Sequence, residues 1–176
     1  MEHYLNLPAS SEQIKELKVG DILYISGKIF TARDEAHHMM LEKEKLPFDP
    51  SKMGLFHCGP LMKNAKDGWH VVSAGPTTSS RMEIFEDNFI KKYKINIIIG
   101  KGGMGKKTQK ALQKYICIYT SYTGGAGALA ADKVEKVEEV YWLDKLGMPE
   151  AVWILRVKDF GPLVVAMDSR GGNIYG

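Results

Sequence analysis

Three basic residues stand at or near predicted helix starts, each after a predicted strand and its loop: Arg33, Arg81 and Lys101. A helix start offers free backbone N–H groups and a partial positive charge, so it attracts carboxylate or phosphate groups. Taken singly, an arginine in a first helical turn is usually a solvated group that contributes less than about 1 kcal/mol. The prediction therefore rests on the combination, which indicates a clamp for a small dianion.

The junction before Arg81 also carries a run of hydroxyl side chains. The run follows a Gly-Pro pair and consists of Thr77, Thr78, Ser79 and Ser80. Such a run usually forms a polar turn and a helix N-cap. Only its place among the three cationic junctions favours a functional interpretation.

The glycine-rich loop at the third junction has a competing interpretation. The segment from Gly100 to Thr108 lies between a predicted buried strand and a helix, as a P-loop does, and P-loop N–H groups cradle phosphates. A P-loop has Ser or Thr after its lysine to bind magnesium, whereas Lys107 follows Lys106 here, and a protonated lysine cannot be a ligand. A phosphate- or nucleotide-binding module is therefore the remoter alternative.

The histidines and cysteines do not show metal-ligand spacing. His37 and His38 are adjacent on a predicted helix, so their side chains point in different directions. His37 can orient an anion or act as an acid, although a histidine on a helix surface is the commoner case. Cys58 follows His57 in an extended segment, where neighbours face opposite sides, so we expect a buried structural thiol.

Hydrophobic periodicity predicts the elements that position these residues. Residues 21–30 favour a bent strand or hairpin around Gly27, and capping-box patterns at Thr31 and Ser80 predict two helix starts. We expect further strands at residues 55–56, 69–73, 95–100, 116–120, 134–143, 151–157 and 163–167, helices through 109–115 and 128–131, and a loop at 124–127. This order favours a mixed layered α/β domain over a doubly wound sheet.

Composition limits the class of protein. With 176 residues and 44% hydrophobic content, we expect one domain over residues 1–176 that buries a core without disulfides. Two cysteines are too few to hold an iron–sulfur cluster, so any cluster must come from another chain. We expect no membrane span and no signal peptide, and so the cytoplasm. Eight lysines lie from Lys91 to Lys114, and those other than Lys101 are expected to form a solvated face that helps to steer an anion toward Lys101. A nucleic-acid binder that uses this lysine face is a remote alternative, because the net charge is only +3.

Several ordered motifs resemble those of β-type iron–sulfur hydro-lyases. They are GKIFTARDEAH at 27–37, HCGP at 57–60, SAGPTTSSRM at 73–82, GKGGM at 100–104 and GGAGALA at 124–130. The end of the chain is similar too, at residues 142–150, 158–163 and 167–173. Over nearly its whole length, the chain resembles the β-type subunit or C-terminal domain of the class I fumarate hydratase and L-tartrate dehydratase family.

The resemblance implies a fold, a reaction and a partner. The fold is a swivelling β/β/α three-layer domain of the α/β class with a mixed sheet. The reaction is the reversible hydration of fumarate to malate, with tartrate dehydration as the alternative. A cluster-bearing α subunit holds the [4Fe-4S] cluster, so this chain alone binds no metal or cofactor and is active only in a heterodimer or α2β2 heteromer.

The resemblance also implies roles for single residues. Arg33, Thr77, Arg81 and Lys101 are catalytic, and Thr78 and His37 join them in binding the dicarboxylate. Thr77 removes the proton next to a carboxylate, with Thr78 as the alternative base. A threonine hydroxyl is a poor base in water, so it needs cationic neighbours and exclusion of solvent. The position after His37 is often lysine in the family and is His38 here.

Overall fold

The structure is a computed structural model that describes residues 1–122 and 127–176. Its strands are β1 Glu2–Asn6, β2 Ile22–Thr31, β3 Gly54–Phe56, β4 Leu61–Ala65, β5 Gly68–Ser73, β6 Ile97–Gly100, β7 Ile118–Ser121, β8 Val134–Tyr141 and β9 Val152–Met167. Seven of them form a sheet in the order β1-β2-β3-β6-β7-β9-β8, and β4 and β5 form a separate hairpin. Strands β2, β3, β6 and β7 run parallel, so their carboxyl ends share one edge.

The helices cover both faces of this sheet. They are α1 Ser11–Glu16, α2 Asp34–Glu42, α3 Glu83–Tyr93, α4 Lys106–Tyr115, α5 Gly127–Asp132 and α6 Leu143–Leu146, with 3-10 turns at Pro50–Lys52 and Ser79–Met82. One apolar core lies between the sheet and α2, α3 and α4. A second core lies between the sheet and the hairpin, α1 and α5. The predicted α/β class with a mixed sheet is confirmed.

The last part of the sheet differs from the prediction. Residues 151–157 and 163–167 were expected as separate strands, but β9 is one strand of 16 residues. It bends at Asp159, where φ is 47°. Strand β2 pairs with both halves of β9 across two register shifts, so tertiary pairing continues the strand through the bend. Strand β4 was not predicted, and residues 123–126 of the predicted loop lie outside the described residues.

Both predicted capping boxes are wrong. Thr31 caps no helix, because its hydroxyl donates to Ala151 O at 3.4 Å and accepts from Trp153 N–H at 3.1 Å. Helix α2 begins one residue after Arg33, and the Glu150 carboxylate accepts from a first-turn N–H at 3.1 Å. Ser80 instead lies within the 3-10 turn that precedes α3. At α2 a distant residue thus takes the capping role that the local pattern assigned to Thr31, and α3 begins at Glu83 without a side-chain cap.

Candidate functional site

The predicted junctions meet at the carboxyl edge of the parallel strands. Arg33 follows β2, His57 follows β3, and Lys101 follows β6. The hydroxyl run joins this edge, because Thr77 N–H donates to His57 O at 2.8 Å and Thr78 forms a parallel bridge with Lys101. In α/β sheets, ligands bind outside the carboxyl ends of the strands.

Arg33 occupies the N-cap position of α2 and lies in a narrow space. Its Nε atom is 3.3 Å from Glu150 Oε1, an ion pair between partly buried groups. The guanidinium stem lies over Gly59, where an added Cβ atom would be 2.7 Å from Arg33 Cδ. Burial raises the pKa of Glu150, against the lowering effect of Arg33. Arg33 is therefore held by its surroundings at the start of α2.

Thr77 and Arg81 form a direct pair. Arg81 Nη2–H donates to Thr77 Oγ1 at 2.8 Å, and Arg81 Nε lies 3.5 Å from Asp34 Oδ2. A cation that donates to a hydroxyl oxygen favours the deprotonated form of that hydroxyl. The side chain of Thr78 makes no hydrogen bond to any residue that the structure describes. This geometry favours Thr77 over Thr78 as the more readily ionised threonine.

Lys101 is fixed by its backbone and exposed at its side chain. Its N–H donates to Ser79 Oγ at 3.1 Å, and its carbonyl oxygen accepts from Ser79 N–H at 3.0 Å. No carboxylate of residues 1–122 or 127–176 forms an ion pair with its ammonium group. The lysine is thus available to an anion placed at this edge.

A fully buried group of side chains lies directly beneath the three junctions, and we name it the Glu86 cluster: His37, His57, Ser79 and Glu86. Glu86 Oε1 accepts from His37 Nε2 at 3.1 Å, and Oε2 accepts from His57 Nε2 at 2.6 Å. His37 Nδ1 donates to Arg33 O at 2.8 Å, and His57 Nδ1 lies 2.8 Å from Ser79 Oγ. The cluster therefore contacts all the segments that carry the cationic residues.

The hydrogen-bond partners define the charges within the cluster. Both ring nitrogens of His37 face oxygen acceptors, so both carry hydrogen. Burial alone would lower the pKa of His37, but the Glu86 carboxylate and the Arg33 carbonyl raise it above its usual value. Burial lowers the pKa of His57, which favours the neutral ring with Nδ1 as acceptor for the Ser79 hydroxyl. Burial opposes ionisation of Glu86, but the two imidazoles lower its pKa to about 2.

The ligand atoms of His37, His57 and Glu86 lie within 4.8 Å of one another, a spacing that would also suit a metal ion. Each carboxylate oxygen, however, already accepts an imidazole N–H. These hydrogen bonds therefore account for the short distances between the three side chains, and they give the buried polar atoms partners without a metal ion.

The position of His37 gives no support to direct contact with substrate, which stays a prediction for this residue. Its side chain is 0% exposed, and protein atoms are bonded to both ring nitrogens. Sequence reasoning also missed Glu86. Helical spacing places Glu86 four residues after Met82 and three before Phe89, on the core face of α3. A glutamate on a core face is the signal that could have identified it, because buried carboxylates need partners.

Gly100 gives a stability test of this packing. A Cβ atom there would collide with Ser79 Oγ and lie 3.0 Å from both His57 Nδ1 and Tyr119 Oη. Gly100→Ala is therefore expected to lower the free energy of unfolding by about 1–3 kcal/mol, measured by urea denaturation. If Ser79 causes the collision, the Ser79→Ala and Gly100→Ala double variant loses less than the sum of the single losses. Additive losses would show that Ser79 is not the obstacle.

The P-loop alternative does not agree with the start of α4. The Glu83 carboxylate accepts from Thr108 N–H at 2.9 Å and from the Thr108 hydroxyl at 2.6 Å. An added Cβ atom at Gly105 would also collide with this carboxylate. A negative side chain thus occupies the helix start where a P-loop binds phosphate. The Glu83 carboxylate therefore already fills the phosphate site that a P-loop from Gly100 to Thr108 would need.

Neither cysteine of the chain suits a cluster ligand. Cys58 and Cys117 are both buried, and they belong to the two different cores. Burial raises the pKa of both thiols well above the usual range, whereas a ligand must be a thiolate. The prediction that Cys58 is buried is confirmed. In the part of the chain that the structure describes, no helix has the length and apolar character of a membrane span.

Comparison with known proteins identifies the family. The sequence model described as "Fumarase C-terminus" matches residues 2–176. The "Putative L(+)-tartrate dehydratase subunit beta" of Methanocaldococcus jannaschii is 51% identical, over 99% of this chain and 91% of that protein. The "L(+)-tartrate dehydratase subunit beta" of Escherichia coli strain K12 is 42% identical, over 99% and 87%.

A third relative is longer. The "Putative fumarate hydratase class I" of Geobacillus stearothermophilus is 45% identical over 172 residues, which are 97% of this chain but 33% of that protein. Sequences similar to this chain thus occur in proteins named as a subunit and as part of a longer chain. This chain therefore belongs to the Fumarase C-terminus family, and it is a β-type subunit or domain of the fumarate hydratase and tartrate dehydratase type.

Proposed function

We propose that this chain is the β subunit of a [4Fe-4S]-dependent hydro-lyase that reversibly hydrates fumarate to malate. It contributes dicarboxylate-binding and proton-transfer residues at an interface with a cluster-bearing α subunit, in a heterodimer or α2β2 heteromer. We propose the cytoplasm as its location. The observation that carries the proposal is the meeting of Arg33, Arg81, Lys101 and Thr77 at one edge of the sheet.

The charges at this edge match a dicarboxylate. Arg33 lies at the start of α2, and Lys101 lies in the loop that precedes α4. Arg81 adds a third cation beside Thr77. Two carboxylates of one small substrate can therefore pair with separate cations, which fixes both ends of the molecule. Fixed ends place the carbon next to one carboxylate at a defined distance from a catalytic group.

Thr77 is the proposed proton-transfer group. In the dehydration direction its alkoxide takes the proton from the carbon next to a carboxylate, and in hydration its hydroxyl returns that proton. The Arg81 Nη2–H bond to Thr77 Oγ1, 2.8 Å long, stabilises the alkoxide in either direction. A cluster held by the partner subunit would supply Lewis-acid chemistry for the substrate hydroxyl.

The exposure of the site supports the proposed need for a partner. Arg81 and Lys101 are exposed in this chain, and a threonine alkoxide is not stabilised in contact with bulk water. A second surface must therefore cover the edge before Thr77 can ionise. The two buried thiols of this chain do not fit a cluster, so the proposal assigns every cluster ligand to that second surface.

Dehydration of L(+)-tartrate is the second candidate reaction. Two relatives of 51% and 42% identity carry that activity in their names, whereas the fumarate hydratase relative is 45% identical. Tartrate has one more hydroxyl group than malate, so a site that binds it needs one more hydrogen-bond partner. Such a partner discriminates strongly between tartrate and malate, because it has no hydrogen bond to make when malate is bound.

Steady-state kinetics with both substrates tests the assignment. The chain is combined with its partner under anaerobic conditions after cluster reconstitution, and kcat/KM is measured for fumarate and for L(+)-tartrate. We expect kcat/KM for fumarate to be larger by at least about tenfold. The reverse ratio would assign the enzyme to tartrate, and inactivity with both substrates would contradict the proposal.

Gly59→Ala tests the position of Arg33 without removing its charge. The new methyl group would lie 2.7 Å from Arg33 Cδ and Nη1, so the flexible side chain must move. We expect KM for the dicarboxylate to rise about tenfold, with a small change in Tm, because the Arg33 end of the clamp is displaced. An unchanged KM would show that Arg33 does not bind substrate from its present position.

A further inference from the structure

The Glu86 cluster links the backbones of Lys101 and Arg33, at the carboxyl edge of the parallel strands, through one continuous set of hydrogen bonds. Lys101 N–H donates to Ser79 Oγ at 3.1 Å, and the Ser79 hydroxyl donates to His57 Nδ1 at 2.8 Å. Glu86 then accepts from His57 on one carboxylate oxygen and from His37 on the other, at 2.6 and 3.1 Å. His37 finally donates to Arg33 O at 2.8 Å. The two ends of this path are thus the backbones of two proposed substrate-binding residues.

The same cluster also holds the proposed base. His57 O accepts from Thr77 N–H at 2.8 Å, so the backbone of Thr77 rests on the residue that bonds to Glu86. Ser79 lies two residues further along the same turn and is fully buried. Arg33, Thr77 and Lys101 come from three different loops, and each loop is attached to the cluster by a backbone group.

Packing keeps the cluster in a single arrangement. The ring centroids of His37 and Phe89 are 4.5 Å apart, and those of His37 and Phe85 are 5.9 Å apart. The Glu86 carboxylate is 0% exposed and comes from the middle of α3. Buried polar networks with every group satisfied specify one geometry, and a half-satisfied network is strongly unfavourable. The carboxylate therefore fixes the separation of its two imidazoles, and with it the separation of the loops.

The geometry points to Glu86 as a positioning residue for the dicarboxylate reaction, acting through His37 and through His57 with Ser79. It sets the distance between Arg33, Thr77 and Lys101 and does not touch the substrate. This inference rests on the proposed function. A displacement of about 1 Å in such a site lowers the rate by about 10²-fold, so the loss of one carboxylate oxygen as acceptor has a kinetic effect.

The test is the Glu86→Gln variant in the assembled enzyme. The amide keeps the size of the side chain but places N–H₂ against one imidazole N–H, which breaks one end of the path. We expect KM for the dicarboxylate to rise at least about tenfold, together with a fall in kcat. Glu42→Gln is the matched control, because Glu42 is an exposed glutamate on α2 whose side chain is 69% exposed.

A purely structural role for Glu86 would give a different result. It would lower Tm and the fraction of active enzyme, while the active fraction kept the KM of the unchanged protein. Active-site titration separates these cases. Unchanged KM and kcat in folded Glu86→Gln would overturn the inference alone, whereas inactivity of the unchanged complex with every dicarboxylate would overturn the proposed function with it.

Ser79→Ala is the second variant, for the case in which Glu86→Gln does not fold. It removes only the hydroxyl shared by Lys101 N–H and His57 Nδ1. We expect KM to rise at least about fivefold, with a smaller fall in Tm than Glu86→Gln causes, because a neutral hydroxyl is removed and not a buried carboxylate. Nitrogen NMR of the unchanged chain provides a readout independent of activity: His37 should carry hydrogen on both ring nitrogens and His57 on Nε2 only. Two neutral, exchanging histidines, or an unaltered KM in Ser79→Ala, would contradict the inference.

Discussion

Thr77→Ala is expected to lower kcat of the assembled enzyme by about 10²- to 10⁴-fold, the contribution typical of a general acid or base. The physical reason is the loss of the only group at Thr77 that exchanges a proton, while Arg81 and the other cations still bind the dicarboxylate. The Thr77 backbone bond to His57 O, 2.8 Å long, does not depend on the side chain. Assembly and KM should therefore change little. The measurement is kcat and KM by anaerobic fumarate absorbance, with size-exclusion chromatography for assembly.

Thr78→Ala is the matched control, since it removes the same hydroxyl from the next residue. Thr78 does not accept from Arg81, and its link to Lys101 is a backbone bridge. Its kcat should fall by less than about tenfold. A larger loss in Thr78→Ala than in Thr77→Ala would move the role of base to Thr78, and near-normal turnover in both would remove threonine from the chemistry.

Lys101→Ala is expected to raise the dissociation constant of a dicarboxylate by at least about 30-fold, because one carboxylate loses its charged partner in a site that the partner subunit closes. The Lys101 backbone bonds to Ser79 remain, so the loop keeps its place. Equilibrium binding of a non-reacting dicarboxylate to the assembled enzyme measures this effect apart from chemistry. Unchanged affinity would contradict the clamp.

Lys106→Ala provides the comparison for Lys101. Lys106 begins α4 and is the lysine that a P-loop would place on phosphate. Because Glu83 already occupies this helix start, we expect Lys106→Ala to leave dicarboxylate affinity unchanged and the lone chain to bind no ATP. Tight ATP binding that is lost in Lys106→Ala would favour the phosphate-binding alternative instead.

The cationic edge was predictable because its signals are local. Arg33 and Lys101 each follow a parallel strand and its loop in the sequence, and parallel strands bring such positions to one edge. Arg81 follows the separate β4-β5 hairpin and joins this edge through the backbone bonds of Thr77 and Thr78. Buried apolar runs, such as residues 95–100 and 116–120, likewise indicated the central strands from local sequence alone. These features depend on neighbouring residues, and those neighbours are visible in one sequence.

The Glu86 cluster was not predictable as a set of contacts. His37 and His57 lie 49 and 29 residues before Glu86, and no spacing rule connects such distances. Only the position of Glu86 on an apolar helix face indicated that it would be buried and would need partners. The identity of those partners depends on how α2 and β3 pack against α3, which is a tertiary property.

The capping patterns failed for a related reason. The Thr31 hydroxyl bonds to residues at positions 151 and 153, because β9 lies beside β2. Glu83, the residue that pairs with Ser80 in the second capping-box pattern, instead caps α4 through Thr108. A local sequence pattern predicts the hydrogen-bond partner of a polar side chain correctly only when no residue distant in sequence offers it a better hydrogen bond.

Hydratase activity of the chain alone and with its partner tests the central claim most directly. The purified chain is assayed anaerobically with fumarate, first by itself and then mixed with its candidate partner chain after cluster reconstitution. We predict activity only in the mixture, because this chain supplies the cations and Thr77 but no cluster ligand. Activity in the lone chain, or a stoichiometric cluster bound to it, would contradict the account.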